Sequence, residues 1–559
     1  MRLNAFGRAV TAYGLLDAYN ADRHAAFRED QNALSRNTSP VGSAVKGAAM
    51  TTEDSQQAVI DFLSDPANFD GTPVKRIDTH AASVFLVGDR AHKIKRAVRF
   101  SFLDFSTLAK RKAACEAEIA VNRSFAPAIY RGVAAITREP NGHLAIGGKG
   151  EPVEWSVEMR RFDESQTLDH LADAGQIDES LADALGRAVA GAHRLAPSVA
   201  SGHFTDVLSE IIAQNEADLT AEPDLFSLEQ VRALGSATRD ALDRVTPLLQ
   251  ARERAGLVRR CHGDLHLGNI VLIDGVPVVF DALEFNDRIA TGDVYYDLAF
   301  LLMDLIDRKL HAAANIVFNR YLTETHRIHD LDALAALPLF MSIRAAIRAK
   351  VNAARNRQKG GQPQLANKAR EYAALAQKFL APVQPKLVAI GGLSGTGKSI
   401  LARALAPGLS PLPGAVILRS DVERKALFSI EETEKLPERA YSVETTIRVY
   451  KGLTEKARRV TAAGYSAIVD AVFALPVERS EIAKSTNGAE FCGLFLIASL
   501  DDRLVRVGNR GRDASDADAE VARKQEGFDL GRIAWSKVDA SGTPEETLLR
   551  AEGMLKLRQ

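Results

Sequence analysis

Two short stretches concentrate the chemistry of this chain of 559 residues. In the first, Gly392-Leu-Ser-Gly395-Thr396-Gly397-Lys398-Ser399 matches G-x-x-x-x-G-K-S/T without a substitution. Gly392, Gly395 and Gly397 let such a loop curl, with Thr396 among them, so that its N–H groups converge on phosphate oxygens. A helix starting beyond it adds the positive end of its dipole. Lys398 then reaches the β- and γ-phosphates, and Ser399 ligates Mg²⁺. The second stretch, His262-Gly263-Asp264-Leu-His266-Leu-Gly-Asn269, precedes a hairpin turning at Asp274-Gly275 and ending at Asp281. A tight loop can present Asp264 as a base toward a hydroxyl, while Asn269 offers a carbonyl oxygen to Mg²⁺. The hairpin returns the chain, so Asp281 can hold the metal that bridges the phosphates. His262 reads as a brace for this loop, and His266 receives no role.

Further candidates surround the glycine-rich loop. Asp421 follows an apolar strand in Arg419-Ser-Asp-Val-Glu-Arg424, at the carboxyl end of a strand, where open α/β sheets bind ligands. Its carboxylate could take the proton of an attacking hydroxyl, or simply cap the next helix. Arg424 could steer either phosphate or substrate. Asp470 ends the apolar Ile468-Val469 and could hold Mg²⁺ through water. Arg506, Arg510 and Arg512 cluster before an acidic loop, where mobile arginines would neutralise a phosphate in transfer.

The elements that must position these groups differ between the two halves. Residues 83–95 alternate as two strands joined by Gly88-Asp89, 108–125 read as a helix, and 129–135, 143–146 and 153–162 as three further strands. Long helical patterns follow at 167–195 and 207–250, then a short strand at 258–261, the Asp-Gly hairpin, and helix again from 297 to 380. That is a small β-rich lobe (about 50–162) and a large α-rich lobe (about 163–384). A Pro-bearing linker then hands over to alternating strands and helices from 387 onward, the pattern of a doubly wound parallel sheet in residues 385–559. Residues 1–49 read as an extension, flexible or a non-native start.

Composition narrows the function classes. The 71 basic and 72 acidic residues nearly cancel, so no global field recruits nucleic acid or an anionic membrane. Three scattered cysteines supply neither a disulfide framework nor a zinc site, and with no apolar run long enough for a membrane they point to the cytoplasm.

The D-x-x-R of Asp421 and Arg424 after the P-loop resembles the polynucleotide 5′-hydroxyl kinase, zeta-toxin and small P-loop kinase group. The H-G-D-x-x-x-x-N loop with Asp281 resembles the aminoglycoside phosphotransferase branch of the protein-kinase-like fold, and Asp293 and Asp297 resemble that branch's structural segment. Taken whole, with Phe102-Leu-Asp-Phe-Ser, Cys115-Glu-Ala-Glu and Asn122-Arg, residues 54–557 resemble the bifunctional aminoglycoside phosphotransferase/ATP-binding proteins. The resemblance implies a bilobal kinase-like fold followed by a P-loop sheet, with ATP and Mg²⁺ as cofactors. It also implies a strand lysine on the α/β-phosphates, Lys95 preferred over Lys93, paired with Glu118 or alternatively Glu116. A hinge at Val157-Glu158-Met159 would meet adenine. The chain departs from protein kinases in lacking G-x-G-x-x-G before Val84 and in following Asp281 with Ala-Leu-Glu rather than Phe-Gly.

These features lead to the expectation of two ATP-dependent transfers to hydroxyls of small molecules such as sugars or amino alcohols. Two other readings stay open: one half regulates the other through ATP binding, or the C-terminal half phosphorylates polynucleotide 5′-hydroxyls.

Overall fold

Hydrophobic alternation places residues 83–95 in a hairpin, and the computed structural model forms it as β2 (Ala82–Val87) and β3 (Arg90–Lys95). The structure describes residues 52–79, 81–99, 104–200, 202–509 and 514–557. They divide into two units. The first runs up to residue 307 and includes 339–378; the second comprises 308–338 and 379 onward.

In the first unit, β1 (Val74–Asp78), β2, β3, β4 (Tyr130–Arg138), β5 (Leu144–Ile146) and β6 (Glu151–Arg160) form one antiparallel sheet. Its order is β1-β2-β3-β6-β4-β5. Strand β1 escapes the sequence reading because Lys75, Arg76 and Asp78 leave only Ile77 buried. Helix α1 (Leu108–Phe125) begins where Thr107 Oγ1 accepts from Lys110 N, and it buries Cys115, Glu118 and Ile119. The apolar face of the sheet (Val84, Leu86, Val157, Met159) shares one core with Val271 and Phe280 of the later hairpin. Each such side chain contributes roughly 1.5–3 kcal/mol when fully buried.

The helical part is more segmented than its periodicity suggests. The helical stretch at 167–195 breaks into a short turn of helix and α2 (Glu179–Leu195), which Asp178 caps. That at 207–250 breaks before α3 (Leu228–Arg254), where Ser227 and Gln230 form a reciprocal capping box. Strand β7 (Val258–Arg260) pairs with β10 (Thr291–Asp293), and β8 (Ile270–Ile273) with β9 (Val276–Val279). Helix α4 (Val294–Asp307) is buried from Val294 to Ile306. An all-round buried helix needs partners for its acids, and those acids turn out to hold the site.

The second unit contains a five-stranded parallel sheet in the order β12-β13-β11-β14-β15, with β11 (Lys386–Gly391), β12 (Val416–Arg419), β13 (Ala467–Asp470), β14 (Glu490–Ile497) and β15 (Ser536–Asp539). Apolar residues of three strands, Val388, Ile468 and Leu494, meet Leu401 and Leu405 of the helix after the P-loop. Strand β15, with only Val538 buried, is invisible to periodicity.

The division of the chain differs from a single cut near residue 384. Helices α5 (His311–Thr325) and α6 (Ile328–Asp332), expected in the N-terminal large lobe, belong to the second unit. Helical periodicity tells that Ala314, Val317, Phe318 and Tyr321 are buried, not which core receives them.

Candidate active sites

In the first unit, β7 leads into the loop that carries Asp264. Gly263 takes φ +83°, and a Cβ there would lie 3.1–3.2 Å from the side chains of Ala290 and Leu283, so the tight loop requires glycine. Acids of α4 hold it from beneath. Asp297 accepts from His262 N (3.1 Å), Gly263 N (2.9 Å) and His193 Nε2 (3.2 Å), and Asp304 accepts from Leu267 N (3.0 Å). Asp293 takes a two-pronged contact from Arg252 (2.6 and 2.9 Å). His262 Nε2 donates to the Phe280 carbonyl (2.8 Å), which ties the loop to the end of the hairpin. His193, Cys261 and Asp297 present ligand-type atoms within 4.8 Å of one another. Their contacts are those of a brace, with Cys261 Sγ donating to Gly292 O at 3.6 Å.

Asp264 is buried, with Oδ2 3.4 Å from His266 Nε2 and 3.1 Å from Asn269 Nδ2. His266 Nδ1 accepts from Gly268 N (3.1 Å), which leaves Nε2 as the protonated nitrogen facing Asp264. Burial would raise this carboxyl, but the imidazole beside it holds it below the usual carboxylate range. His266, to which the sequence assigned nothing, thus sets the charge of the loop. Asn269 Nδ2 donates to both the carbonyl and the carboxylate of Asp264, which turns Oδ1 away; that oxygen is buried without a partner. An orphaned amide oxygen beside a carboxylate suits a hard divalent cation.

Asp281, at φ +59°, receives Lys93 Nζ on Oδ1 (3.1 Å). Lys93 also meets Glu118 Oε1 (2.8 Å); Lys95 meets Glu118 Oε2 (2.6 Å) and Glu284 Oε1 (2.6 Å). Burial would raise Glu118, yet the two lysines bring it down to about 2. For Asp281, burial dominates and raises it to about 6, with Lys93 opposing and Glu118 and Glu284 adding. The alternative Glu116 is exposed and pairs with Lys112 at 3.7 Å, outside the site. Both lysines pair with Glu118, but it is Lys93 that touches Asp281, while the preferred Lys95 is drawn to Glu284. The expected hinge falls within the sheet. Met159 lies inside β6 between Ala91 and Tyr130 of neighbouring strands, and Arg160 N and Arg161 N bond to Ile129 O and Asp89 O.

In the second unit, β11 runs into the P-loop and then α7 (Lys398–Leu405). Gly395 has φ +87°, and a Cβ there would stand 2.7 Å from the Arg503 carbonyl. Thr396 Oγ1 and Lys398 Nζ both donate to the Leu393 carbonyl (2.9 and 3.1 Å), while Ser399 Oγ donates to Asp470 Oδ2 (2.5 Å). Arg503 of α9 (Leu500–Gly508) is buried and donates Nε to Ser394 O (2.8 Å); Gln525 Oε1 accepts from Ser394 N (2.6 Å). Neither residue stands out in sequence, since Arg503 is one arginine among several on a charged helix.

The loop floors a cleft of about 1480 Å³ that is also lined by Asp421, Arg424, Asp470 and Arg506. Asp421 opens α8 (Ser420–Leu427); burial raises its carboxyl, the neighbouring Asp470 adds, and Arg419 and Lys398 oppose. Arg424 Nη1 donates to the Ala440 carbonyl (2.6 Å) and the guanidinium lies 5.1 Å from the Tyr441 ring. Arg506 Nη2 donates to Gly542 O (3.0 Å). Arg510 and Arg512 lie outside the described residues. Among the described residues no helix is long and apolar enough to cross a membrane.

Comparison with known proteins also finds two parts, but the first match takes in most of the 308–338 segment that belongs to the second unit. Residues 102–337 match the model described as "Phosphotransferase enzyme family", and residues 387–528 match that described as "AAA domain". The protein named "Uncharacterized protein Rv2004c" of Mycobacterium tuberculosis is 30% identical over 495 residues, which span 85% of this chain and 94% of the relative. Its Mycobacterium bovis counterpart, "Uncharacterized protein Mb2027c", matches equally. Among solved structures, the choline/ethanolamine kinase family protein from Mesorhizobium loti shares 14% identity at a TM-score of 0.35, covering 58% of this chain and 95% of its own. A gluconokinase from Sinorhizobium meliloti shares 18% at 0.24, covering 31% and 93%.

Proposed function

We propose a two-site ATP-dependent phosphotransferase, from the premise that this chain belongs to the family that joins an aminoglycoside-phosphotransferase-type kinase domain to a P-loop kinase domain. Each site would pass the γ-phosphoryl group of ATP to a hydroxyl of a small molecule. The observation that carries the reading is the array around Asp264. It combines an ionised buried base, an orphaned amide oxygen on Asn269, and a Lys93–Asp281 pair that also engages Glu118.

In the N-terminal site, Asp264 accepts the proton as the acceptor oxygen bonds to the γ-phosphorus and the bond to the ADP oxygen breaks. Lys93 is the phosphate-contacting lysine, kept in place by Glu118. Asn269 Oδ1 and Asp281 are the groups that would hold Mg²⁺, which supplies charge neutralisation on the phosphates. In the C-terminal site, Lys398 and the P-loop amides bind the phosphates, Ser399 and Asp470 would hold Mg²⁺, and Asp421 is the base. Arg424, Arg506 and Arg510 neutralise the group in transfer. The mixed charges of the cleft and the near-zero net charge favour small hydroxyl compounds over polynucleotides.

The test is incubation of the full chain with Mg·ATP and a panel of sugars, polyols, amino alcohols, aminoglycosides and 5′-hydroxyl oligonucleotides, with products identified by mass. Phosphorylated small molecules that disappear with Asp264→Asn or Asp421→Asn support the reading. Transfer confined to oligonucleotides, with a steep salt dependence, would replace the small acceptor. ATP binding in one unit that only changes the other's rate would make it a regulator.

A further inference from the structure

Strand β12 is the edge of its sheet and pairs only with β13 in the strand order. Val416 N donates to Ser466 O at 2.9 Å, so Val416 faces β13 while the carbonyl of Ala415 and the N–H of Ile417 face the other way. An edge normally leaves that row to water or to a foreign strand. Here a side chain fills its first two places. Asn319 of α5 accepts from Ile417 N on Oδ1 (2.7 Å) and donates from Nδ2 to Ala415 O (3.1 Å). One carboxamide bridging the carbonyl of one residue and the N–H two residues on makes the same pair of bonds as one residue of a neighbouring parallel strand.

The surroundings hold that amide in register. Asn315, one turn earlier and buried, donates Nδ2 to Ala415 O (3.1 Å) and Pro413 O (3.2 Å) and accepts Asn319 Nδ2 on Oδ1 (3.1 Å). Arg320 pairs with Glu432 (3.0 Å), Asp332 of α6 pairs with Arg459 (2.6 Å), and Phe318 packs 5.9 Å from the ring of Tyr465. Strand β12 ends at Arg419, two residues before Asp421, and Arg419 Nε reaches Asp470 (3.5 Å).

We propose that Asn319 is a positioning residue for the C-terminal transfer: its carboxamide stands in for the missing sheet neighbour at the start of β12 and so fixes the strand that leads to Asp421. The inference rests on Asp421 being the base of that site. A strand pinned on one side frays toward its free edge, and displacement of a reacting group by about 1 Å can cost on the order of 10²-fold in rate. The P-loop kinase is therefore completed by a segment encoded within the span of the other kinase domain.

The experiment uses the full chain carrying Asp264→Asn, so that ADP release, with water or the hydroxyl panel as acceptor, reports the C-terminal site. Asn319→Leu keeps the volume and offers neither bond. Asn319→Asp keeps the acceptor for Ile417 N–H but sets a carboxylate against the Ala415 carbonyl. Both are expected to lower kcat on the order of 10- to 100-fold with KM for ATP within about twofold. Hydrogen exchange should accelerate at least about tenfold in residues 415–421 and stay as in wild type in 386–391. Wild-type kcat and exchange in Asn319→Leu would overturn the inference. So would a parallel loss of ATP affinity with faster exchange throughout the unit, which marks a merely structural role. Asp421→Asn separates the layers: if its turnover survives, the base assignment fails, whereas if it abolishes turnover and Asn319→Leu does not, only the positioning role fails.

Discussion

In the N-terminal unit, Asp281, Lys93, Glu118, Lys95 and Glu284 alternate in charge along four contacts of 2.6–3.1 Å, and Glu118 and Lys95 are wholly buried. In the C-terminal unit, Asp421 and Asp470 instead line a cleft of about 1480 Å³ with Lys398, Arg424 and Arg506. The first arrangement neutralises its charges by pairing them with one another; the second sets two carboxylates close together in the wall of the cleft, with Arg419 beside Asp470 at 3.5 Å as the partial counterweight. The two bases feel the difference in opposite senses. His266 holds Asp264 below the usual carboxylate range, whereas burial and Asp470 push Asp421 above it. On the proposed reading, one chemical requirement, a carboxylate near a γ-phosphate, would be met by two electrostatic designs.

Removing the bases should give the largest effects. Asp264→Asn keeps shape and loses the proton acceptor, so N-terminal transfer should fall about 10²- to 10⁴-fold with ATP binding retained, as read by initial rates and calorimetry. Next, Lys95→Met leaves Glu118 and Glu284 facing each other in the core, and denaturant unfolding should show a loss of about 3–5 kcal/mol. Lys93→Met should instead raise KM for ATP with a smaller loss of stability, since Asp281 keeps partial exposure. A stability loss from Lys93→Met as large as that from Lys95→Met would break the assignment of the two lysines. Lys398→Ala should weaken ATP binding to the C-terminal site at least about tenfold, near 1.4 kcal/mol, and leave the N-terminal site unchanged.

The smallest effects are in pH. A base must be ionised, so at saturating Mg²⁺ the C-terminal rate should fall on acidification before the N-terminal rate does. Coincident acid limbs would remove the contrast between Asp264 and Asp421. At limiting Mg²⁺ the N-terminal site should behave differently. Protons compete for Asp281, held at about 6, so its apparent Mg²⁺ affinity should weaken toward tenfold per pH unit below that value.

The groups read from the sequence are those fixed by short-range spacing. The P-loop, the Asp264–Asn269 loop and the Asp-Gly hairpin each specify local backbone geometry, and the structure brings each set together. What escaped depends on long-range packing. The contacts that distinguish Lys93 from Lys95, two residues apart on one strand face, come from Asp281 and Glu284, nearly two hundred positions away. Arg503 and Asn319 look like ordinary helix-surface residues until the P-loop and β12 are placed against them. Strands β1 and β15, each with a single buried residue, carry no alternation to detect.

The central claim is that the two sites transfer phosphate independently, and a product inventory of the full chain, Asp264→Asn, Asp421→Asn and the double variant tests it most directly. With Mg·ATP and the acceptor panel, the expected result is that each single variant removes one set of phosphorylated products and keeps the other, and the double variant removes both. Loss of every product in one single variant, with none lost in the other, would leave a single transferase whose partner domain only binds ATP.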